Sequence, residues 1–510
     1  MSIVIIRADA SADIGGGHIY RCLTLAAELA KQVTAIHFIC REENGHLGEL
    51  IKQNGFALTL LPANTPFEQQ TDAIACRKIC YQLNSSISLI IVDHYQISTT
   101  WEALLSPLTH SFVVIDDLAN RPHQCDLLFD QSQGRTADDY SRWLTSRCQH
   151  IITGAEHALL RPQFMALREE ATLKRSKLNT VQSVLISMGA MDPDNVTHSV
   201  LTQLATLKPA ANWTINIVLT DQAKHLDSIK MLVDSSPLNM QLHVNVNNMA
   251  ALILANDIAI AAAGTSMLER CCLGLPGVLV CIADNQQHIA QAVKQSQSAI
   301  AVLDANQLVD ELAPAINRFI NDISRYQQIA DKAFAMCNGN GCELLGKRLH
   351  QLQAEPQLYL QAVSNADKDR LLEWQSAPKT RQYSRNTEPP TPAQHQKWFD
   401  SVMANPEIYF YLLKRGEQAC GFVRLDIKTL NIKQKNIHGF EVSIALAPDC
   451  YGQGLGHQAL LLIQQAYSDQ PLLAYIDPQN QASVKAFAKA GFLPLNNLWY
   501  LLAAKSKRGK

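Results

Sequence analysis

Short apolar runs alternate with amphipathic segments along the first part of the chain. The runs are nearly continuous in Val, Ile, Leu and Phe, as expected of parallel strands buried on both faces of a sheet. They are SIVIIRA (2–8), AIHFIC (35–40), SLIIVDH (88–94), FVVIDD (112–117) and QHIITG (149–154). Because the segments between them show helical spacing, residues 1–165 are predicted to form a doubly wound α/β domain.

The same alternation restarts after the charged helical segment QFMALREEATLKRSK (163–177). A strand, a turn and a helix are predicted for residues 183–205, and further apolar strands follow. These strands are WTINIVLT (213–220), QLHVNV (241–246), IAIAAAG (258–264) and GVLVCIA (277–283). Residues 166–350 therefore read as a second doubly wound domain, and two such units bind a ligand at the carboxyl ends of their strands.

The pattern changes in the last part of the chain. A polar loop (376–394) leads into longer strands of antiparallel character, FYLLKR (410–415), ACGFVRLDI (419–427) and FEVSIALAP (440–448). A glycine-rich turn and an apolar helix follow them. We predict a third, α+β domain over residues 356–510.

Composition and charge restrict the classes of function. The 510 residues exceed one ordinary core, and 47% hydrophobic and 18% charged residues are typical of a globular protein. A net charge of -2 does not indicate the excess of positive charge that is typical of nucleic-acid-binding proteins. No apolar run reaches the roughly 18 residues of a membrane span, and the first apolar run is too short for a signal peptide. We expect a cytoplasmic protein that binds neither nucleic acid nor membrane.

The segment DIGGGHIYRCLTLAAELA (13–30) follows the first strand and carries candidate chemistry. Its glycines allow close approach of the backbone to a ligand, and a helix amino terminus attracts negative oxygen. The motif matches neither G-x-G-x-x-G nor G-x-x-x-x-G-K-[ST], which weakens dinucleotide and P-loop interpretations. His18 precedes the first core position, Ile19. A neutral imidazole there can accept a proton, although a histidine that only hydrogen-bonds the turn fits equally well.

Six ordered motifs resemble a known family over about residues 1–350. They are RADASADIGGGHIYRCLTLAAELA (7–30), DHYQISTTWE (93–102), VVIDDLANRPHQCDLLFDQ (113–131), GAEHALLRPQF (154–164), SMGAMDPDNVT (187–197) and AAAGTSMLERCCLGLPGVLVCIADNQ (261–286). They resemble the UDP-2,4-diacetamido-2,4,6-trideoxy-β-L-altropyranose hydrolases of pseudaminic acid biosynthesis. The resemblance implies two Rossmann-like domains in the GT-B arrangement. It also implies metal-independent attack of water on the anomeric carbon with inversion, and His18 takes the position of the family's general base.

The resemblance extends to UDP-sugar contacts in both domains. Gly264, Thr265 and Ser266 lie between a strand and a helix, where hydroxyls and amides can hold a pyrophosphate. Glu269 corresponds to a ribose-binding glutamate, although a carboxylate in the first helical turn also stabilises a helix. The other residues assigned by resemblance are Gly17, Tyr95, Arg161, Asn195, Met249 near the uracil, and Asn285 and Gln286 near the sugar. An ordinary surface ion pair explains Arg161 nearly as well.

Three residues depart from the hydrolase pattern. Ala190 and Met191 replace a more flexible turn, and Asp130 stands where an amide is usual. These changes concern substrate contacts and leave the predicted reaction class unchanged.

The segments 442–467 and 472–492 of the third domain resemble the GNAT-type N-acetyltransferases. A strand is followed by Gly452, Gly454 and Gly456 and then by an apolar helix, an order suited to binding the pyrophosphate of acetyl-CoA. The resemblance covers about residues 357–500 and includes similarity to the UDP-4-amino-4,6-dideoxy-N-acetyl-β-L-altrosamine acetyltransferases. It assigns acetyl-CoA contacts to Leu446, Gln453, Gly454, Leu455, Gly456, His457 and Asn480.

The catalytic groups of the acetyltransferase are less clear from the sequence. Tyr451 replaces a glutamine or arginine of the usual glycine-turn pattern, and Phe487 replaces a tyrosine that protonates the leaving thiolate. A phenyl ring has no proton to donate. Glu441 is a candidate base, although strand alternation equally allows it to face solvent. We predict a bifunctional enzyme, with a glycosyltransferase or a hydrolase bearing a non-catalytic acetyl-CoA-binding domain as alternatives.

Overall fold

The computed structural model describes residues 2–12, 14–32, 35–189, 191–354, 357–432 and 435–504. Ala190, one of the departures from the hydrolase pattern, lies outside these residues. The described chain forms three units, each built around one main sheet. No described helix is both long and apolar enough to span a membrane.

The first unit is a parallel sheet with helices on both faces, and its strand order is β3-β2-β1-β4-β5-β6-β7. The strands are β1 (Ser2–Ala8), β2 (Ala35–Arg41), β3 (Ala57–Leu61), β4 (Ser86–Asp93), β5 (Ser111–Ile115), β6 (Leu127–Asp130) and β7 (His150–Thr153). The helices are α1 (Gly17–Leu29), α2 (Gly48–Gln53), α3 (Gln69–Gln82), α4 (Thr99–Leu105) and α5 (Ala137–Tyr140). Two further helices, α6 (Pro162–Ala166) and α7 (Arg168–Ser176), follow in sequence but pack in one core with the second unit. The central strands are buried on both faces, as their continuous apolar composition predicts.

The second unit is also parallel and has the strand order β10-β9-β8-β11-β12-β13. Its strands are β8 (Ser183–Ser187), β9 (Thr214–Leu219), β10 (Met240–Val244), β11 (Ile258–Ala262), β12 (Gly277–Cys281) and β13 (Ala301–Asp304). Its helices are α8 (Val196–Leu204), α9 (Leu226–Ser235), α10 (Met249–Ala255), α11 (Met267–Cys272), α12 (Gln287–Ser296), α13 (Leu308–Phe319), α14 (Ile323–Met336) and α15 (Gly341–Ala354).

Helix α15 belongs to the second unit in sequence but packs on the first. Its apolar face, with Leu345 and Leu349, joins the same core as Leu25 of α1 and Ile6 of β1. The chain thus returns to the first unit after completing the second, and this crossing ties the two parallel sheets together.

The third unit is a mixed sheet with the order β14-β15-β16-β17-β18-β20-β19. Its strands are β14 (Leu358–Ala362), β15 (Ile408–Arg415), β16 (Gln418–Ile432), β17 (Lys435–Leu446), β18 (Leu472–Tyr475), β19 (Leu493–Pro494) and β20 (Trp499–Leu502). Its helices are α16 (Lys368–Ser376), α17 (Pro378–Arg381), α18 (Pro392–Ala404), α19 (Leu455–Ala466) and α20 (Gln481–Lys489). Only the contact between β17 and β18 is parallel among the described strand pairs of this sheet.

The third unit is docked on the first through a shared core. Buried residues of α3 and α4 belong to the same apolar cluster as those of β15 and α19. Arg77 forms a 2.9 Å ion pair with Asp469 and stacks on the ring of Tyr467. The Tyr81 hydroxyl donates to the carbonyl of Ile408, 3.1 Å away. A shared core with buried polar contacts indicates a fixed association between these two units.

Candidate active site

His18 lies in the second position of α1, directly after the glycine turn that follows β1. Gly15 has φ of +78°, a conformation that favours glycine, and a Cβ at Gly17 would meet no atom within 4 Å. The imidazole is 5% exposed, and its Nδ1 lies 2.6 Å from a carboxylate oxygen of Asp93. Because a carboxylate can only accept, the 2.6 Å contact requires the proton on Nδ1, which leaves the lone pair of the neutral ring on Nε2. Nη2 of Arg21 also lies 3.1 Å from Nδ1 and, in this tautomer, contacts the ring without donating to it.

Asp93 is the last residue of β4 and is completely buried. Arg21, one helical turn after His18, donates to both carboxylate oxygens of Asp93 at 2.6 Å and to Asp117 at 2.9 Å. Burial opposes the charge of Asp93, but Arg21 and His18 outweigh it and hold the pKa of that carboxyl well below its usual range. Asp93 therefore remains a carboxylate that fixes the orientation of His18.

Tyr95 connects this group of residues to the second unit. The edge of its ring contacts the imidazole of His18, with ring centroids 4.4 Å apart. Its hydroxyl is hydrogen-bonded to the side chain of Asn285, and burial raises the pKa of that hydroxyl. Next to this contact, the backbone at Gly134 approaches Ala292 of α12 so closely that a Cβ would lie 2.6 Å from the methyl group. His18 therefore lies close to the place where the first and second units meet.

The loop between β11 and α11 belongs to the second unit and lies beside Gln286, the neighbour of Asn285 in the sequence. Gly264 and Thr265 are partly exposed and Ser266 is exposed, so their polar groups are open to a ligand. The side-chain amide of Gln286 lies beside Gly264, 3.8 Å from the position of a Cβ. Its oxygen accepts from the backbone of Ile282, which holds the loop after β12 in place.

Glu269, Arg161 and the start of α10 meet near this loop. Arg161 lies 3.5 Å from the carboxylate of Glu269 and donates to the carbonyl of Asn247 at 3.3 Å. Met249 begins α10 two residues later, where Asn248 caps the helix. Burial raises the pKa of Glu269, and Arg161 opposes that shift. Arg161 and Met249 are 88 positions apart in the sequence, and Met249 and Glu269 are 20 apart. The structure thus brings three remote residues together.

Asn195 lies directly before α8, and its assignment to the UDP-sugar stays a prediction. The amino terminus of α8 is already capped by Asp192, whose oxygens accept from the backbone of Val196 and Thr197 at 2.9 Å each. Asn195 has φ of +54°, and its side-chain oxygen is buried with no partner among the described residues. A carboxylate occupies the place where a phosphate would bind at this helix end.

Asp130 is a buried carboxyl with one cation, Arg135, at 3.7 Å and a backbone donor from Ser132 at 2.7 Å. It ends β6, where burial raises the pKa of its carboxyl to about 6. The Tyr140 hydroxyl lies 2.8 Å from Asp130 and 2.9 Å from the carbonyl of Asp116, yet a phenol has one proton for these two acceptors. A protonated Asp130 resolves this conflict by donating to Tyr140. An amide would do the same, which accounts physically for the amide that is usual at this position.

In the third unit, β17 and β18 diverge beside the glycine turn. Their described register contains the pairs Phe440 with Leu472 and Glu441 with Leu473, and β17 continues to Leu446 beyond them. Gly452 and Gly454 have φ of +79° and +73°. The gap between the strands and the amides of the turn form a continuous surface for an extended anionic ligand.

The predicted acetyl-CoA residues take several structural roles around this gap. Leu446 ends β17, and Leu455 and Gly456 begin α19 directly after Gly454. The Gln453 amide donates to the carbonyl of Asp449 at 2.9 Å, whereas Nδ1 of His457 is buried without a partner among the described residues.

Asn480 caps α20 by accepting from the backbone of Ser483 at 3.1 Å. This contact occupies its side-chain oxygen with a helix-stabilising role.

The two departures from the acetyltransferase pattern are engaged in local contacts. The Tyr451 hydroxyl lies 3.1 Å from the hydroxyl of Thr380. Phe487 is buried with its ring against Phe492, at a centroid distance of 5.0 Å. Tyr451 does not offer the glutamine or arginine side chain of the usual pattern, and Phe487 does not offer the tyrosine hydroxyl.

Glu441 lies where β17 and β18 separate, and it is buried, which excludes the solvent-facing alternative. One oxygen lies 2.5 Å from Arg385 and the other 3.6 Å from Lys428. Arg385 in turn stacks over Tyr475 at 4.2 Å. Glu441 is thus both a candidate base and the partner of two cations at the mouth of the gap.

Sequence reasoning did not identify Arg21, Asp93 and Asp117 as members of the His18 site. Arg21 follows His18 by three residues, which places both on one face of α1. Asp93 is the charged last residue of a buried strand, at the edge where α/β sheets bind ligands. These two signals are present in the sequence, but the pairing of β1 with β4 is needed to join them. Within the described residues, no group of three His, Cys, Asp or Glu side chains could hold a metal ion.

Comparison with known proteins assigns two segments of the chain. Residues 183–343 match the glycosyltransferase family 28 C-terminal domain, and residues 357–493 match the acetyltransferase (GNAT) domain. The third unit is a GNAT domain. The predicted fold class, two doubly wound Rossmann-like domains in the GT-B arrangement followed by an α+β GNAT domain, is confirmed. The exact domain boundaries stay predictions.

The chain is also similar to two proteins in sequence and to one solved structure. An uncharacterized protein of Methanocaldococcus jannaschii is 23% identical over 503 residues, which cover 96% of each chain. The UDP-2,4-diacetamido-2,4,6-trideoxy-β-L-altropyranose hydrolase of Campylobacter jejuni is 26% identical over 287 residues, 56% of this chain and 94% of the hydrolase. The structure of MurG from Acinetobacter baumannii covers 69% of this chain and 99% of its own, with 14% identity and a TM-score of 0.48. The predicted homology of the amino-terminal part to the hydrolase is confirmed.

Proposed function

We propose that the chain is a bifunctional nucleotide-sugar enzyme of pseudaminic acid biosynthesis. Its GT-B part hydrolyses UDP-2,4-diacetamido-2,4,6-trideoxy-β-L-altropyranose to UDP and the free sugar, with inversion. Its GNAT domain transfers the acetyl group of acetyl-CoA to the 4-amino group of the UDP-sugar precursor. The homology to the Campylobacter jejuni hydrolase and the GNAT match support this pairing of activities.

The hydrogen bond between His18 and Asp93 is the observation that carries the proposal. With Nδ1–H donated to Asp93, Nε2 of His18 accepts a proton from water. The oxygen of that water forms a bond to the anomeric carbon while the bond from this carbon to the UDP oxygen breaks. Attack from the side of His18, opposite the UDP, inverts the anomeric configuration. General base catalysis of this kind contributes on the order of 10²- to 10⁴-fold to the rate.

The second unit supplies the groups that we assign to UDP. Arg161 brings positive charge, and the Gly264–Ser266 loop brings backbone and hydroxyl donors to the pyrophosphate. Glu269 can accept from the ribose hydroxyls, and the backbone beside Met249 is placed to contact uracil. These donors stabilise the negative charge that develops on UDP as it leaves.

The gap between β17 and β18 is the proposed site of acetyl transfer. The nitrogen of the neutral amine forms a bond to the acetyl carbon, the bond from that carbon to the CoA sulfur breaks, and a proton from the ammonium group reaches the thiolate. Glu441 lies at the start of the gap and is the carboxylate best placed to accept the amine proton. Phe487 cannot deliver it to the thiolate, so positioning of the two reactants supplies much of the catalysis.

The test is incubation of the protein with the UDP-4-amino-sugar and acetyl-CoA, followed by identification of the products by NMR. We expect the N-acetylated UDP-sugar first, then UDP and the free sugar with inverted anomeric configuration. His18→Ala should abolish UDP release and leave acetylation intact. His350→Ala, at an exposed histidine of α15, is the matched control. Normal UDP release by His18→Ala would contradict the base assignment.

A cavity in the first unit favours a glycosyltransferase as the second candidate. A space of about 480 Å³ is lined by Arg41, Leu61, Thr65 and Glu68 at the carboxyl ends of β2 and β3. A true acceptor would fit such a space. UDP release in water without any acceptor decides for hydrolysis, whereas release only on addition of an acceptor decides for transfer.

Phe487 and Tyr451 favour the third candidate, a GNAT domain that binds acetyl-CoA without catalysis. Retained binding of acetyl-CoA with no acetylated product would support this role. Formation of the acetylated UDP-sugar at enzyme-dependent rates would exclude it.

A further inference from the structure

Asp117 has one carboxylate oxygen that the protein itself does not use. Its Oδ2 accepts from Arg21 at 2.9 Å. Its Oδ1 is buried and has no hydrogen-bond partner among the described residues, and the side chain as a whole is 10% exposed. An ionised oxygen that is removed from water without a partner is strongly destabilising, so a group at this position requires a donor.

The location of Asp117 indicates where such a donor comes from. Arg21 also donates to both oxygens of Asp93, the carboxylate that orients His18. The charge of Asp117 also acts on the hydroxyl of Tyr95, whose pKa burial raises first and Asp117 raises further. Tyr95 contacts His18 on one side and Asn285 of the second unit on the other. Asp117 thus belongs to the group of residues around His18, which includes Arg21, Asp93 and Tyr95.

We infer that Oδ1 of Asp117 accepts a hydrogen bond from the sugar, either from an acetamido N–H or from a ring hydroxyl. This inference rests on the proposed function, because it places the sugar beside His18. A phosphate is excluded as the ligand of this oxygen, since two negative groups would be in contact in a site with little water. Asp117 is therefore a sugar-binding residue. It favours sugars that carry a hydrogen-bond donor at one ring position over sugars that lack a donor there.

The chemistry of Arg21 makes Asp117→Asn an informative substitution. Arg21 can only donate, so the amide oxygen of the variant must face Arg21 and the amide NH₂ must face the sugar. In the variant, the amide N–H at position 117 and the donor of the sugar then face each other, and no hydrogen bond can form between them. Its side-chain volume is almost unchanged, so the effect concerns hydrogen bonding.

The experiment compares the affinity for UDP with the affinity for the UDP-diacetamido-sugar, by calorimetry on the His18→Ala background to prevent turnover. We expect Asp117→Asn to weaken binding of the UDP-sugar about 10- to 100-fold, the usual effect of a lost hydrogen bond to a charged group, and to leave UDP binding unchanged. On the active background, KM should rise by a similar factor. Asp138→Asn, an exposed aspartate of α5, is the matched control.

A purely structural role for Asp117 gives a different result. If it acts only by holding Arg21, and through Arg21 Asp93, the substitution lowers kcat and shifts its pH profile while the UDP-sugar affinity stays the same. That result overturns the inference, as does an equal loss of affinity for UDP and the UDP-sugar. Unchanged UDP affinity and an unchanged thermal transition show that Asp117→Asn is folded.

Failure of the proposed function is separable from failure of this inference. If wild-type protein binds the UDP-sugar more tightly than UDP but does not hydrolyse it, the proposed reaction is wrong, and the affinity ratio still tests Asp117. If wild-type protein hydrolyses the sugar and Asp117→Asn keeps the full affinity ratio, the inference is wrong and the reaction stands.

Discussion

His18 and Asp93 are 75 positions apart in the sequence and are joined by a 2.6 Å hydrogen bond between Nδ1 and a carboxylate oxygen. Asp93 is fixed by two further hydrogen bonds from Arg21. The imidazole is therefore held in one tautomer and one orientation before any substrate binds. This arrangement is what a general base for water requires.

Replacement of Asp93 by asparagine should impair hydrolysis without affecting acetyl transfer. An amide has one acceptor oxygen for three donors, two from Arg21 and one from His18. The imidazole then loses its fixed tautomer, and we expect the kcat of UDP release to fall on the order of 10²-fold or more. Rates of UDP release and of CoA release, measured on the same preparation, check this. Parallel loss of both activities would instead indicate a folding defect.

Replacement of Glu269 by glutamine should weaken nucleotide binding. The carboxylate accepts from Arg161 and, in our proposal, from the ribose, and the neutral amide accepts more weakly. We expect the Kd for UDP to rise about 10-fold, as measured by calorimetry, with acetyl-CoA binding unchanged. Glu170→Gln, at an exposed position of α7, serves as the control. Unchanged UDP affinity in Glu269→Gln would remove this residue from the site.

The stability of the protein should depend on pH through Asp130. Its folded-state pKa is raised by burial from 3.8 to about 6, so the unfolded chain loses this proton at lower pH than the folded chain. Protonated Asp130 therefore stabilises the folded state fully at a pH below the unfolded-state pKa. This stabilisation disappears as the pH rises through 6. Two pKa units correspond to about 3 kcal/mol in the free energy of unfolding.

Asp130→Asn should remove this dependence, because an amide donates to Tyr140 at every pH. We expect the variant to gain up to about 3 kcal/mol of stability over wild type between pH 4 and pH 8. Urea unfolding at both pH values, followed by fluorescence, measures the difference. A constant difference between the two proteins would show that Asp130 is not the titrating group.

Replacement of Asp469 by alanine should destabilise the GT-B and GNAT parts together. The change leaves the buried cation of Arg77 without its carboxylate, a loss of about 3–5 kcal/mol for a buried pair. Because α3 and α19 share one core, we expect a single unfolding transition at lower temperature and loss of both activities above it. Calorimetry and the two assays against temperature check this, with Asp400→Asn on α18 as an exposed control. Unfolding of the GNAT domain alone would contradict the shared core.

Local pattern was sufficient for most of the fold. Strands such as β1, β4 and β12 are buried on both faces, and their continuous apolar runs identify them without knowledge of the partner strands. β3 was not identified, because it is an edge strand whose residues are partly exposed and whose apolar run is weak. β6 and β13 were also not identified; both are four residues long, which leaves little pattern to detect.

In the candidate site, too, some features follow from local sequence and others depend on contacts between remote residues. The sequence alone determined that a glycine turn precedes His18, that a glycine and hydroxyl loop precedes Glu269, and that a GNAT glycine turn follows β17, because each is a contiguous motif with its own chemistry. Only the tertiary structure decided that Asp93 and Arg21 orient His18 and that Asp117 keeps an unused oxygen beside it. Burial, shared protons and charge compensation depend on distances between remote residues, and those distances exist only after the sheets have formed.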